Sequence, residues 1–236
     1  MAVRVSGANL AGAVANAGGV GLISSFGIGL NSPYFDTKPK QFFAANKLAP
    51  IDELAKAREI SPDGIVGVNV LVATRDYQAL AQTAAAHGAN LIVTGGIWDR
   101  SDIDRMLAIG AAGVQIGTRF ITTAECDADR QYKEFHLQAH VHNLVTVPSP
   151  VGKPARAMGN QFTEDVLKNS PTLEKRCIAN CLDSCLCRDK KITYCLLQAL
   201  SKAAQGDIER GLMFSGGAVK PVTKILPVAE LMASLT

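Results

Sequence analysis

Two glycine-rich turns have the residue types and spacing of a binding site for an anionic group. One turn, residues 94–97, follows the apolar run 91–93, and the other, residues 115–120, ends the next apolar run along the chain. Glycine lets backbone N–H groups approach an anion closely, and the carboxyl ends of parallel strands form the ligand face of α/β folds. Either turn alone could be only a tight connection from a strand to a helix. Together they predict a phosphate site, because the loops after the last two strands of a barrel commonly share one phosphate.

Alternating helices and strands are predicted to position these turns. The first unit is a helix with Ser6 as its N-cap, stopped by Gly18 and followed by a buried strand. Residues 26–48 show no clear periodicity, and the second helix is predicted to begin after Pro50. The predicted strands are 20–24, 65–72, 91–93 and 114–116, and the later predicted helices are 51–60, 76–87 and 101–109.

This alternation defines the fold class that we expect. Strands that are apolar throughout and alternate with helices are typical of a parallel sheet covered on both faces. The four predicted strands all precede residue 125, whereas a complete (β/α)₈ barrel needs roughly 250 residues. The sequence therefore predicts an α/β protein with a TIM-barrel-like parallel (β/α) fold that is incomplete, with about four βα units.

A change of pattern near residue 145 predicts a boundary. The proline-rich stretch 148–154 is predicted to be a loop, a cysteine-rich stretch follows it, and helices are predicted near 193–205 and 222–235. Residues 1–145 are thus predicted to form the barrel portion. Residues 146–236 are predicted to form a loop and helical, Cys-rich extension that packs on the barrel.

Composition excludes several classes of function. The chain of 236 residues is 47% hydrophobic and 19% charged, which is typical of a globular protein and not of a disordered one. Its 24 basic and 21 acidic residues give a net charge of +3, too small to predict a nucleic-acid or anionic-membrane partner. No apolar run approaches the 18 or so residues that cross a bilayer, and no cleavage signal is evident. We expect a cytoplasmic protein.

Five of the six cysteines fall within a short stretch of the C-terminal region. They are Cys177, Cys181, Cys185, Cys187 and Cys195. A thiolate cluster could bind zinc or an iron–sulfur centre, but the spacing fits no standard pair of CxxC motifs. Buried structural thiols are the favoured interpretation, since cysteine packs as a small hydrophobe, and we assign no metal site. The solitary Cys126 is also expected to be buried.

Histidines offer no clear catalytic group. His136 and His140 are one helical turn apart, a spacing that can hold a metal ion. No third ligand occurs in a matching place, so we predict that they lie on a solvated helix face. His87 closes a predicted helix. We therefore assign no catalytic base.

Four separate stretches of sequence carry a family resemblance. These are residues 3–21, 67–69, 95–100 and 113–120. In this order they resemble the nitronate monooxygenase family, formerly called 2-nitropropane dioxygenases. The related flavin-dependent enoyl-acyl-carrier-protein reductases share the order. The resemblance continues through residues 149–157 to residues 211–217 and covers nearly the whole chain.

The resemblance implies a TIM-barrel enzyme that holds FMN without a covalent link, with the FMN phosphate at the turns after the seventh and eighth strands. Asn69 matches an asparagine that contacts the flavin, and a carboxamide can exchange hydrogen bonds with a flavin ring edge or satisfy the local backbone. The residues that match FMN-binding positions are Met1, Asn69, Gly95, Gly96, Gln115, Ile116, Gly117 and Thr118.

The same resemblance implies oxidation of alkyl nitronates by O₂ to a carbonyl compound and nitrite. However, this sequence has no counterpart of the family's Gly-Gly-His motif, whose histidine is linked to catalysis, or of its first strand, and a long central section of the family pattern is absent. FMN-dependent enoyl-acyl-carrier-protein reduction is one alternative. A non-catalytic FMN-binding half-barrel that associates with another copy is a second.

Overall fold

The computed structural model describes residues 3, 5–30, 32–35, 41–70, 76–87, 98–108, 115–152, 154–217 and 219–236. In its N-terminal half, two parallel strands are flanked by helices. The strands pair in register from Val20 with Ile65 to Ser24 with Asn69. The elements are α1 (Ala8–Asn16), β1 (Val20–Ser24), α2 (Phe42–Ile60), β2 (Ile65–Asn69), α3 (Tyr77–Ala86), α4 (Arg100–Ala108) and α5 (Thr118–Ile121).

The N-terminus of helix α1 is capped by side chains that are distant in sequence and not by the side chain of its own N-cap residue. The prediction that Ser6 is the N-cap is wrong: Gly7 occupies that position, and the Ser6 hydroxyl donates to the Leu22 carbonyl of β1. Asp127 accepts the Gly7 N–H at 2.8 Å, and Glu53 accepts the Ala8 N–H at 2.6 Å. Two carboxylates from elsewhere in the fold thus satisfy amides at the positive end of the helix, which leaves no need for a local cap.

Helix α2 begins earlier than predicted and runs through Pro50. A proline inside a helix removes one backbone N–H, which made Pro50 a plausible first residue. Burial explains the longer helix, because Phe42, Ala45 and Ala49 lie on one face that is buried. That packing outweighs the missing hydrogen bond at Pro50. The start predicted at residue 51 is therefore wrong.

Of the other two strands predicted in the first half, one is not described and the other is described only in part. The strand predicted at 91–93 lies outside the described residues. At the strand predicted at 114–116, residue 114 is not described, Gln115 forms only an isolated bridge, and Ile116 is in no strand.

The C-terminal half contains an antiparallel hairpin whose connection lies within the predicted loop 148–154. Strand β3 (Leu144–Pro148) pairs with β4 (Pro154–Met158), so both prolines at the ends of the expected loop belong to strands. Proline is tolerated there because it stands at a strand end, where its missing N–H interrupts no ladder bond. The other elements are α6 (Arg130–Leu137), a short 3₁₀ helix (Val141–Asn143), α7 (Gln161–Leu167), α8 (Leu186–Lys190), α9 (Leu196–Ala204) and α10 (Val228–Leu235).

Two buried cores combine residues from both halves of the chain. One packs Val3 and Phe26 against Val147 and Leu197, and the other packs Leu10 against Leu231. The position 145 proposed as a boundary falls within β3. Within the described part of the chain, no helix is long and apolar enough to cross a membrane.

Candidate functional site

Gly117 and Thr118, both predicted to bind a phosphate, line a cavity of about 160 Å³. Ser215 and Gly216, from the far end of the chain, line the same cavity and complete its polar side. The rest of the lining is apolar or aromatic and consists of Val5, Ile121, Tyr132, Leu200, Leu212 and Phe214. The cavity thus combines a glycine-rich polar side that includes the Thr118 hydroxyl with a largely apolar wall.

A direct hydrogen bond joins the two polar segments. Gly216 donates its backbone N–H to the Thr118 hydroxyl oxygen at 2.8 Å. A Cβ added at Gly216 would lie 3.3 Å from that oxygen, which is a tight contact. Gly117 is the N-cap of the short helix α5, and Thr118 is its first residue. The glycine-rich turn therefore presents Thr118 to a second glycine segment, 215–217.

Arg156 places a positive charge beside this second segment. The Ser215 N–H donates to the Arg156 carbonyl at 3.2 Å, and Ala157 forms a bridge with Phe214, so β4 supports the segment. A Cβ added at Gly217 would lie 3.0 Å from Nη1 of Arg156, which locates the guanidinium next to Gly217. Arg156 lies in the stretch 149–157 that carries the family resemblance, but its sequence context alone does not indicate this position.

Arg119 follows Thr118 directly but is engaged elsewhere. Its guanidinium lies 5.7 Å from the centre of the buried Trp98 ring, a cation–π contact, and donates to the Thr122 hydroxyl at 3.1 Å. Burial lowers the pKa of Arg119. Asp99, which follows Trp98 in the chain, forms an ion pair with Lys220. These contacts fix the segment that carries Trp98, whereas Arg156 lies beside Gly217.

Those of the other predicted FMN residues that the structure describes do not line this cavity. Asn69 ends β2, is half-buried, and accepts the N–H and hydroxyl of Ser25 with its backbone carbonyl at 3.1 and 2.9 Å. Gln115 and Ile116 are half-buried and directly precede Gly117. Neither they nor Asn69 line the cavity. Met1, Gly95 and Gly96 lie outside the described residues.

The solvated helix face predicted for the histidines is wrong for His136. Its side chain is only 1% exposed, its ring centre lies 4.6 Å from that of Tyr132, and Nδ1 lies 2.9 Å from the Tyr132 carbonyl oxygen. Burial lowers the pKa of His136, while the backbones of Tyr132 and Phe214 oppose the shift. His140 lies beyond the end of α6, is exposed, and stacks on His142. The pair is separated because α6 ends before His140.

Among the described residues, no group of three or more His, Cys, Asp or Glu side chains is arranged to hold a metal ion. All six cysteines are described and free, and Cys177 is the one among them that is not fully buried.

The cavity fits one end of a flavin mononucleotide and not the whole molecule. Pockets that bury a ligand of drug size have roughly 300–1,000 Å³, well above the volume found. The polar residues at Gly117, Thr118 and Gly216 have the chemistry that a phosphate group requires. The described residues therefore fit the phosphate end.

Fold and cavity together define an α/β protein with a candidate phosphate site formed by two glycine segments. A family model described as "Nitronate monooxygenase" matches residues 61–236. That is 176 of the 236 residues, most of the chain. The chain belongs to the nitronate monooxygenase family.

Curated relatives match parts of the chain. The nitronate monooxygenase of Paraburkholderia phytofirmans is 30% identical over 147 residues, which cover 61% of this chain and 36% of the relative. A Staphylococcus saprophyticus protein named "Probable nitronate monooxygenase" is 36% identical over 72 residues, covering 30% of this chain and 20% of the relative. The matched segments thus span only a minor part of the length of these relatives.

Solved structures resemble the chain over nearly its whole length. FabK from Thermotoga maritima has a TM-score of 0.67 at 19% identity, covering 98% of this chain and 88% of FabK. The nitroalkane oxidase of Streptomyces ansochromogenes has a TM-score of 0.56 at 16% identity, covering 100% of this chain and 92% of that one. At these identities the likeness concerns the fold alone. It supports the expected relation to TIM-barrel enzymes.

Proposed function

We propose that this chain is an FMN-dependent oxidoreductase that oxidises alkyl nitronates with O₂ to a carbonyl compound and nitrite. The observation that carries the proposal is the contact between Gly216 and Thr118 at the polar side of the cavity. It unites two glycine segments at the place where the family resemblance implies the FMN phosphate. Membership of the nitronate monooxygenase family supports the reaction class.

The phosphate would be held by Gly117 and Thr118, with Gly216 fixing the Thr118 hydroxyl in place. The Thr118 oxygen accepts the Gly216 N–H, so its own O–H proton can be donated to a phosphate oxygen. Arg156, beside Gly217, adds a positive charge that favours a dianion. We propose Met1, Asn69, Gly95, Gly96, Gln115 and Ile116 as the further contacts to FMN.

The apolar wall of the cavity has a separate role. Val5, Leu200 and Leu212 exclude water from the polar side, and this strengthens hydrogen bonds and charge interactions with the phosphate. When bound, the flavin supplies the electron transfer and the reaction with O₂. We assign no catalytic residue.

The architecture that we propose is a (β/α) barrel portion of about four βα units in residues 1–145. Residues 146–236 supply the extension, including Ser215 and Gly216.

Two other functions are distinguished by experiment. FMN-dependent enoyl-acyl-carrier-protein reduction is favoured by the order of motifs shared with that family, and a non-catalytic half-barrel that binds FMN and pairs with a second copy is favoured by the missing Gly-Gly-His motif.

The test begins with purified full-length chain titrated with FMN and followed by flavin absorption and fluorescence. We expect saturable binding, then nitrite release from propyl-2-nitronate in the presence of O₂. Bound FMN with enoyl-thioester turnover and no nitrite identifies the reductase, and bound FMN without either turnover identifies the half-barrel, whose dimer would be seen by size-exclusion chromatography. Absence of FMN binding overturns all three.

A further inference from the structure

The cysteine-rich stretch collects five thiols in one buried core. Cys181, Cys185, Cys187 and Cys195 belong to this core, and Cys177 is partly buried against it. Burial, followed by the nearby thiols of Cys195, Cys185 and Cys177, raises the pKa of Cys187 to about 12. The same neighbours influence Cys181. The thiols are therefore close to one another and not merely close in sequence.

Cys177 is the member that a small reagent in solution can reach. It is half-buried, and the Asn180 N–H donates to its sulfur at 3.3 Å. The Arg188 guanidinium interacts with the thiols of Cys177 and Cys185. Hydrogen bonds to the Asn180 side chain and the Leu182 carbonyl hold this guanidinium in place. The accessible sulfur of the group thus lies beside a backbone N–H and near a cation.

Cys195 is a buried thiol that lies close to the chain at Cys177. Burial raises the pKa of Cys195, and the backbones of Gln198 and Ile178 oppose this shift. Ile178 directly follows Cys177, so its interaction with the Cys195 sulfur brings the two cysteines together. Cys187 also hydrogen bonds to Cys195. Cys195 is therefore a core thiol that contacts both the segment of Cys177 and a second buried thiol.

We propose that Cys177 and Cys195 are a site of reversible oxidation, at which hydrogen peroxide forms an intramolecular disulfide. The Cys177 thiolate attacks one peroxide oxygen, so that an S–O bond forms and the O–O bond breaks. The hydroxide that leaves takes up the proton released by the Cys177 thiol and becomes water. The Cys195 sulfur then attacks the Cys177 sulfur and loses its proton, and the hydroxyl on Cys177 leaves as a second water. Two thiols and one peroxide thus give one disulfide and two waters, with the sulfurs oxidised and the peroxide reduced.

The structure distinguishes this pair from the other cysteines. Cys126 is isolated in the second core, where its thiol donates to the Val5 carbonyl at 3.3 Å and burial raises its pKa to about 11. It has no neighbouring thiol in that core and provides the control. The described cysteines also form no group of three that could hold a metal ion. Oxidation of a pair is thus better supported by the arrangement than metal binding.

Peptide mapping tests the proposal directly on the full chain. Reduced protein is treated with hydrogen peroxide, free thiols are alkylated, and tryptic peptides are analysed by mass spectrometry. Cleavage after Arg176, Arg188, Lys191 and Lys202 separates residues 177–188 from residues 192–202. We expect the loss of two alkylatable thiols and a cross-linked pair of these peptides whose fragments place the bond at Cys177 and Cys195. Dithiothreitol should reverse both changes.

Variants and metal content complete the test. Cys177→Ser should abolish the cross-link, and Cys126→Ser should leave it unchanged. The proposal is overturned if the wild-type cross-link joins other cysteines, if the cross-link persists in Cys177→Ser, or if peroxide leaves all six thiols alkylatable. Stoichiometric zinc or iron in the purified protein also overturns it. Because the wild-type map needs no substitution, a variant that fails to fold does not prevent a decision.

Discussion

Gly216 donates its backbone N–H to the Thr118 hydroxyl at 2.8 Å and so joins two parts of the chain that are 98 residues apart. This bond is a direct polar link between the two sides of the candidate phosphate cavity. It makes the hydroxyl oxygen an acceptor and leaves its proton for a ligand. The geometry of the cavity therefore depends on one side chain, and its removal has separable effects on stability and on binding.

Replacing Thr118 with valine tests this link. Valine keeps the shape but leaves the Gly216 N–H without its acceptor, which should cost about 1–3 kcal/mol of unfolding free energy. FMN affinity should also fall, because a phosphate donor is lost. Urea denaturation and FMN titration measure the two effects. Thr118→Ser, which keeps the hydroxyl, is the control, and equal losses in the two variants would contradict the role of the hydrogen bond.

Arg156 should contribute to FMN affinity through its charge. Arg156→Ala is expected to weaken FMN binding roughly tenfold, because a cation beside Gly217 is lost. Arg156→Lys should retain part of the affinity, since the charge remains without the planar fork. The loss should shrink as salt is added. FMN titrations at two ionic strengths measure these changes in affinity. Unchanged affinity in Arg156→Ala would contradict a role for Arg156 in FMN binding.

Gly21 should be intolerant of any side chain. A Cβ built on Gly21 would overlap the Ala11 carbonyl oxygen, because α1 packs directly on β1 at this point. Gly21→Ala is expected to lower the unfolding free energy by about 3 kcal/mol. The neighbouring Val20→Ala, at a partly exposed position, is the matched control and should have a much smaller effect. Thermal and urea unfolding of both variants measure the difference, and similar losses would argue against close packing of α1 on β1.

Asp127 should make a contribution to the free energy of unfolding that falls as pH rises. Burial and the nearby Glu53 carboxylate raise the pKa of Asp127, against the opposing N–H groups of Leu10 and Gly7. A carboxyl whose pKa is raised by folding contributes most below its ordinary pKa of about 3.9, and the contribution is lost as pH rises through the folded value. The difference in unfolding free energy between wild type and Asp127→Asn should therefore fall as pH increases from about 4.

The matching control for Asp127 is Asp63→Asn, which removes an exposed carboxylate in the turn before β2. Urea unfolding from pH 3.5 to 7 supplies the measurement for all three proteins. A difference between wild type and Asp127→Asn that is constant or rises with pH would contradict the assignment. Asp127→Ala should cost more at every pH, because the Gly7 and Leu10 N–H groups then lose their acceptor.

Local sequence patterns predicted some elements well. The strand predicted at 20–24 is confirmed as β1. It could be predicted because a short run of apolar and small residues between glycines favours a buried strand. The helix predicted at 76–87 is confirmed within one residue at each end as α3. The turn at Gly117 and Thr118 was found because glycine after a strand is a strong local signal. Its contact with Gly216 was not predictable from spacing, since it depends on how distant segments pack.

Long-range contacts account for the incorrect predictions. Asp127 and Glu53 cap α1 although neither is near it in sequence, so the local signal at Ser6 was misleading. His136 lies on a helix with many charged residues, which favours a solvent-facing position in the sequence. Packing against Tyr132 in the folded chain buries it. Arg156 was given no role because its relation to Gly217 exists only in the folded chain.

Helix α9 begins directly after Cys195 and contributes Leu200 to the wall of the candidate phosphate cavity. One regular element thus connects the thiol core to the binding cavity. Thermodynamic linkage then requires reciprocity: if the disulfide changes the affinity of a cavity ligand by some factor, that ligand changes the thiol–disulfide equilibrium by the same factor. The reduction potential of the cysteine pair would in that case report on whether the cavity is filled.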